Sequence, residues 1–174
     1  LSDLIPKISN YNLEIVICDN ASTDNTKRVV EKYMAIYPHI TYFRQSSNSI
    51  DKNFVTCYEL ASSKYIWLLG DSSRIVDIHF PKIIELLSSG ELSAITMNAA
   101  GRVTDVKSKS FTDPIELLSE LGWHLGLISS MIVLKAMTEK TYTHRYMETT
   151  FIHLGLFFEY LCLNGGTVLW MNET

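Results

Sequence analysis

The sequence predicts an α/β fold, a mostly parallel sheet flanked by helices, and three observations carry that prediction. The run LEIVICD (13–19) is almost continuously apolar and β-branched, as a strand buried on both faces of a parallel sheet requires. Strand-like and helix-like segments alternate through the first hundred residues in a β-α-β-α-β-α-β order, the pattern of parallel strands joined by helical crossovers. Two of the strand-like runs stop on a carboxylate, at Asp19 and Asp71, with turn-forming residues behind it. In a parallel arrangement both fall at the carboxyl-terminal lip of the sheet, where ligands bind.

After the first strand, NASTDNT supplies turn residues, with Asp24 placed to cap the amphipathic helix NTKRVVEKYMAIY, which Pro38 closes. ITYFRQ (40–45) reads as the second strand, SSNSIDK as a polar loop, and NFVTCYELASS as a helix with apolar residues at three-to-four spacing. KYIWLLGD is the third strand. HFPKIIELLSSG makes a helix with Pro81 in its first turn and Gly90 at its end, and LSAITMN a fourth strand. Beyond Asn98 the periodicity weakens. GRVTDVKSKSFTDP reads as loop or edge strand, and FTDPIELLSELG as a short helix with Asp113 at its cap and Pro114 just inside. LISSMIVLKAM is strand-like and then helical, TTFIHLGLFFEYLCLNGG is an amphipathic helix stopped by glycine, and TVLWMN is a last strand.

With 174 residues, 47% hydrophobic and 20% charged, the composition suits one globular domain with a sizeable core. A net charge of −4, without any run of Lys or Arg, gives no phosphate-tracking stripe, so nucleic acid is not an expected partner. Cys18, Cys57 and Cys162 are odd in number, lie in apolar runs and lack CxxC spacing, which reads as small core residues of a reducing compartment. The opening LSDLIPKISN has neither the basic start nor the apolar stretch of a signal peptide. The most membrane-like window, FIHLGLFFEYLCLNGGTVLW, is interrupted by His153, Glu159, Asn164 and a glycine pair, which argues against a spanning helix.

Three blocks, EIVICDNASTDNT, NSIDKN and ASSKYIWLLGDSS, follow one another in the order and at the separation of a pattern in which N-x-G-x-x-x-N precedes YxWxLGDDD. On these residues the chain resembles the nucleotide-sugar-binding half of the family 2 glycosyltransferases, which have the GT-A fold, and especially members that build bacterial surface polysaccharides. The resemblance covers roughly 13–84. It implies that Asp19 accepts a hydrogen bond from the base of a nucleotide-sugar donor, with Asn20 and Ser22 lining the same pocket. It also matches Asn48 and Asn53 to the family's two Asn and sets Lys52 to screen the diphosphate. On this reading 1–174 is a single GT-A-like domain, with a nucleotide-sugar-binding half at about 1–98 and an acceptor-side half at about 99–174.

Two departures stand beside the matches. The family's first strand, ending in a Pro-x-Tyr-Asn-like motif, has no counterpart here, and LSDLIPKISNYN is similar to the helix that follows it, so the sheet is expected without that strand. The family's metal block of two or three aspartates reads Asp71-Ser72-Ser73, leaving Asp71 as the single carboxylate ligand for Mg²⁺ or Mn²⁺.

The attacking hydroxyl needs a general base, which the family takes from its second half, and Glu148 in RYMETTF is the candidate. Trp123, His124 and His153 are acceptor-side candidates, Trp123 by stacking on a sugar face. The resemblance thus implies an inverting transfer of a sugar from a nucleoside-diphosphate donor to a saccharide or lipid-linked acceptor. It implies a cytoplasmic enzyme at the inner face of the membrane. The alternative the same residues leave open is a catalytically silent GT-A-like module that binds a nucleotide sugar or glycan, for which Ser72 and Ser73 are the motive.

Overall fold

A computed structural model describes residues 1–139 and 143–173. The short helix α1 (Leu4–Ile8) turns Ile5 and Ile8 into the core and leads to β1 (Ile15–Asp19). Helix α2 (Thr26–Met34) follows, with Asp24 accepting the N–H and O–H of Thr26 at 2.9 and 2.5 Å. The expected cap therefore acts from one residue before the N-cap Asn25. Strand β2 (Ile40–Arg44) returns parallel to β1, in a register that runs from Ile15 opposite Ile40 to Asp19 opposite Arg44.

Helix α3 (Ile50–Leu60) starts inside the segment expected as loop, because Ser49 already stands extended as its N-cap. Strand β3 (Tyr65–Trp67) is short, and α4 (Phe80–Ser89) carries Pro81 in its first turn. It ends on Gly90 at φ 73°, a left-handed conformation that glycine adopts without a Cβ penalty. Strand β4 (Ala94–Met97) is almost wholly buried. The polar stretch after it yields β5 (Lys109–Phe111), an edge strand as expected, and α5 (Pro114–Leu125), where Asp113 accepts the Ile115 N–H at 2.8 Å. Strand β6 (Met131–Leu134), the single turn α6 (Ala136–Glu139), α7 (Ile152–Asn164) and β7 (Val168–Met171) complete the chain.

The strands form two sheets, the parallel pair β1-β2 and a five-stranded sheet ordered β3-β6-β4-β7-β5. Strand β6 lies antiparallel between β3 and β4, β4 and β7 are parallel, and β5 closes the edge antiparallel to β7. Hence β3, β4 and β7 share one direction. The parallel bias read from the alternation holds for strand direction, and β6 interleaves to make most of the pairings in this sheet antiparallel.

No backbone ladder joins β1 to β3 among the described residues, yet both strands feed the same two apolar layers. Ile15, Ile17, Trp67 and Leu69 pack with Ile5, Ile8, Val30 and Phe80, whereas Val16 and Leu68 pack with Tyr58, Ile66, Ile152 and Leu156. Successive residues of a strand face opposite sides, so this is the period of two carried across a break in the sheet. Ile15 to Cys18 are half-buried rather than covered on both faces, because β1 has a paired neighbour on one side only. Helix α7 corrects a second expectation: it is apolar on nearly every side. Ile152 and Leu156 meet α3, while Phe157, Tyr160 and Leu161 join the cluster around Trp170, and a helix clasped between two clusters needs no polar stripe. Cys162 is exposed near its end, not a core residue, whereas Cys18 and Cys57 are half-buried.

Candidate active site

The turn that leaves β1 is braced from three sides. Asp19, its side chain 1% exposed, accepts the Ser22 N–H at 2.7 Å and the Tyr42 O–H at 2.6 Å, with Arg44 Nε 3.6 Å away. Burial alone would raise its pKa. The Ser22 and Tyr42 hydrogen bonds and the Arg44 charge outweigh burial and hold the carboxyl below its ordinary 3.8, and the Tyr42 hydroxyl is pushed up to about 12, chiefly by its bond to Asp19. Ala21 takes φ 63° to make the turn, and the Asp19 carbonyl accepts from both Ala21 and Gln45 at 2.8 Å.

The start of α3 closes on this turn. Asn20 donates to Asn48 Oδ1 at 3.0 Å and accepts the Ser49 N–H at 2.8 Å, and Asn53 donates to the Cys18 carbonyl at 3.0 Å. Cys57, one helical turn beyond Asn53, meets Cys18 thiol to thiol. Asp19, Asn20, Ser22, Asn48 and Asn53 therefore form one cross-linked group, with Lys52 exposed beside it. Asp19 faces inward. Asn48, Lys52 and Arg44, itself 46% exposed at the side chain, are the polar groups turned to solvent.

The loop after β3 is organised differently. Ser73 N–H closes a turn on the Gly70 carbonyl at 3.0 Å. Ser129 then pins the loop from the far side: its hydroxyl accepts the Gly70 N–H at 3.1 Å and lies 2.5 Å from Ser73 Oγ, and its carbonyl accepts the Trp67 indole N–H at 2.9 Å. Ser73 is thus spent on structure, and Asp71 stands exposed with no hydrogen-bond or ion-pair partner among the described residues. No three His, Cys, Asp or Glu side chains gather there or elsewhere among the described residues. One free carboxylate at a rigid loop fits a hard cation that shares its remaining oxygens with a bound diphosphate and water.

In the second half of the chain the candidates separate. Trp123 is 64% exposed on the outer face of α5. Its neighbour His124 is fully buried, edge-on between Trp123 and Trp170, with Nε2 3.0 Å from the Met97 carbonyl and 3.1 Å from the Ala99 N–H. Burial lowers its pKa, and it has no surface from which to touch an acceptor. His153 is also buried, edge-on to Phe54 at 5.8 Å, its pKa lowered by burial against the opposing pull of the Gly126 and Leu125 carbonyls and of Asp51. Glu148 is exposed, on a backbone at φ 69° in the loop that enters α7.

Residues 1–152 match the profile described as glycosyl transferase family 2. The chain belongs to that family. An abequosyltransferase of Salmonella typhimurium is 33% identical over 82 residues, which is 43% of this chain and 25% of that protein, and a chondroitin synthase of Escherichia coli is 32% identical over 75 residues, 43% of this chain and 10% of that protein. The crystal structure of S. aureus TarS residues 1–349 in complex with UDP superposes with a TM-score of 0.73 at 14% identity, covering 99% of this chain and 54% of that one. That likeness establishes the GT-A-type fold. The chain spans only a part of these relatives, a quarter or less of the two enzymes and about half of the TarS structure.

Four residues of this family 2 glycosyltransferase's candidate site are not singled out by the sequence: Tyr42, Arg44 and Ser129, which lie outside the three blocks, and Asp51, which lies inside NSIDKN at a position given no role. Tyr42 and Arg44 alternate along β2 and reach Asp19 only through the β1-β2 register, which no local pattern reveals. Ser129 lies in a run that reads as the start of a strand. Asp51 accepts the Thr150 N–H from 99 residues away.

Proposed function

We propose that the protein transfers a sugar from a nucleoside-diphosphate donor to a saccharide or lipid-linked acceptor, with inversion at the anomeric carbon, in bacterial polysaccharide synthesis. The observation that carries this reading is the braced turn at the end of β1 in a family 2 chain, where Asp19 holds Ser22 and Tyr42, Asn20 holds Asn48, and Asn53 holds the Cys18 carbonyl. Support for the donor class comes from TarS, solved with UDP and with UDP-GlcNAc, and for sugar transfer from the abequosyltransferase and chondroitin synthase.

In this mechanism the donor's base sits against the turn that the buried Asp19 braces, with Asn20 and Ser22 beside it. Lys52 faces the diphosphate and offsets its charge. Family members generally use a divalent cation. Asp71 would hold it, and when bound it supplies a Lewis acid for the departing diphosphate. Glu148 takes the proton of the acceptor hydroxyl, whose oxygen attacks the anomeric carbon on the face opposite the leaving group, which inverts the centre. Trp123 offers its exposed face to the acceptor sugar, and His153 backs that side from within. Residues 1–174 act as one domain, about 1–98 on the donor side and about 99–174 on the acceptor side. No helix among the described residues is long and apolar enough to cross a membrane. A lipid-linked acceptor would be met at the inner face of the membrane, from the cytoplasm.

Calorimetric titration with UDP, GDP, dTDP and CDP, each with and without Mn²⁺, tests the donor site: one nucleotide binds, and more tightly with the metal. Binding of none of them overturns the reading. Glu148→Gln keeps that binding and loses about a hundredfold or more in turnover, the scale of a removed general base.

A further inference from the structure

The loop that carries Glu148 is fixed at both ends and strained between them. On one side Arg145 donates to Glu159 Oε1 at 2.6 Å, and the Tyr146 ring lies so close over Gly155 of α7 that an added Cβ would collide with it. On the other, the Thr150 N–H donates to Asp51 Oδ2 at 3.2 Å. Between these anchors Glu148 and Thr150 hold φ 69° and 61°. A β-branched residue rarely adopts that conformation, and it persists where the surroundings over-determine it.

Asp51 and His153 are the buried polar members of a largely apolar contact between α3 and α7, His153 lying edge-on to Phe54. Asp51 is 4% exposed, and it heads the stripe Asp51, Phe54, Tyr58 along which α3 packs on α7. Its Oδ1 has no partner among the described residues. A buried carboxylate with one oxygen unpaired is costly, and packing alone would be served better by an apolar side chain. The opposite face of the same helix presents Asn53 to β1 and Lys52 to solvent, so its first turn touches both the donor-side turn and the Glu148 loop.

We propose that Asp51 is a positioning residue: by accepting the Thr150 N–H it latches the 147–151 loop to α3 and so sets the place of Glu148 relative to the donor-binding residues of the same helix turn. The catalytic consequence rests on the reading of Glu148 as the base, whereas the latch itself does not.

Amide hydrogen exchange of the full chain, compared among wild type, Asp51→Ala and Asp51→Asn, tests the latch without any need of turnover. Asn keeps an oxygen acceptor for Thr150 and Ala does not. In Asp51→Ala, exchange in 147–151 speeds up about tenfold while 19–25 is unchanged, and Asp51→Asn stays within about twofold of wild type. With a turned-over donor, Asp51→Ala lowers kcat about tenfold at constant donor KM and unchanged nucleotide affinity, and Asn restores it. Unchanged exchange at 147–151 in Asp51→Ala overturns the proposal, and so does equal loosening of both regions or equal loss in the two variants. Local loosening with undiminished turnover supports the latch and removes Glu148 as the base.

Discussion

Both Asp19 and Asp71 are expected at strand ends, but β3 stops at Trp67, so Asp19 ends β1 whereas Asp71 lies four residues past β3, in a loop, and the protein treats the two in opposite ways. The first is buried, accepts two hydrogen bonds and has a guanidinium beside it, and the turn around it is complete before any ligand arrives. The second is exposed on a loop whose rigidity comes from Ser73 and Ser129 rather than from the aspartate itself. A carboxylate that follows a strand, directly or across a short loop, can therefore be finished by the fold or left for a ligand to finish. In the first case mutation injures the scaffold and the site together, and in the second it injures the site alone.

The largest effect should come from breaking the finished one. Asp19→Ala leaves the Ser22 N–H and Tyr42 O–H without their acceptor and should lower stability by about 2 kcal/mol, with nucleotide affinity falling more than tenfold in the same protein. Asp24→Ala, which loses only contacts to Thr26, should leave that affinity nearly intact; equal effects would mean that Asp19 does not serve the base pocket. Thermal melts and calorimetry on the pair read both quantities.

A titration sharpens the comparison next. His124 and His153 are kept neutral by burial, with pKa values below 6.5 in the fold, so as pH falls below 6.5 the unfolded chain takes up protons that the fold does not, and stability declines. The Asp19 carboxyl runs later. Its folded pKa is below 3.8, so its contribution is present above that value and is lost as pH falls through the lower folded one. Melting temperature followed from pH 7 to pH 3 should show the histidine decline first, and His124→Gln should flatten it between pH 6.5 and 5.

The smallest effect belongs to the loop of the unfinished aspartate. Ser73→Ala removes one hydroxyl contact to Ser129 at a half-open site and should cost about 0.5 to 1 kcal/mol, read in a denaturant melt. A loss several times larger would show that Ser73, not Ser129, organises the turn.

Much of the fold was legible because it is local. The alternating runs, Pro81 and Gly90 around α4, and Asp113 before Pro114 each name an element by chemistry within a few residues, and all of them hold. The placement of β6 between β3 and β4 was not legible, because strand order depends on which faces meet after collapse. The same division runs through the candidate site. Asp19, Asn20, Asn48 and Asn53 lie in quotable blocks and come together, whereas Tyr42 and Ser129 enter through register or through contacts many residues apart, and Asp51, though inside NSIDKN, gains its contact from Thr150, 99 residues away. His124 and Trp123 are adjacent in sequence, and only helical geometry sends one into the core and the other to solvent.

The break between the two sheets has a consequence for how the molecule comes apart. A two-stranded parallel ribbon is marginal by itself, and β1-β2 persists because helices clamp it and because its side chains share layers with β3. It should open as a unit of its own, at a lower free energy than the five-stranded sheet, without the rest of the chain unfolding. A nucleotide bound at the Asp19 turn would close that unit by mass action. Substrate occupancy would then be recorded as cooperativity, merging two folding units into one.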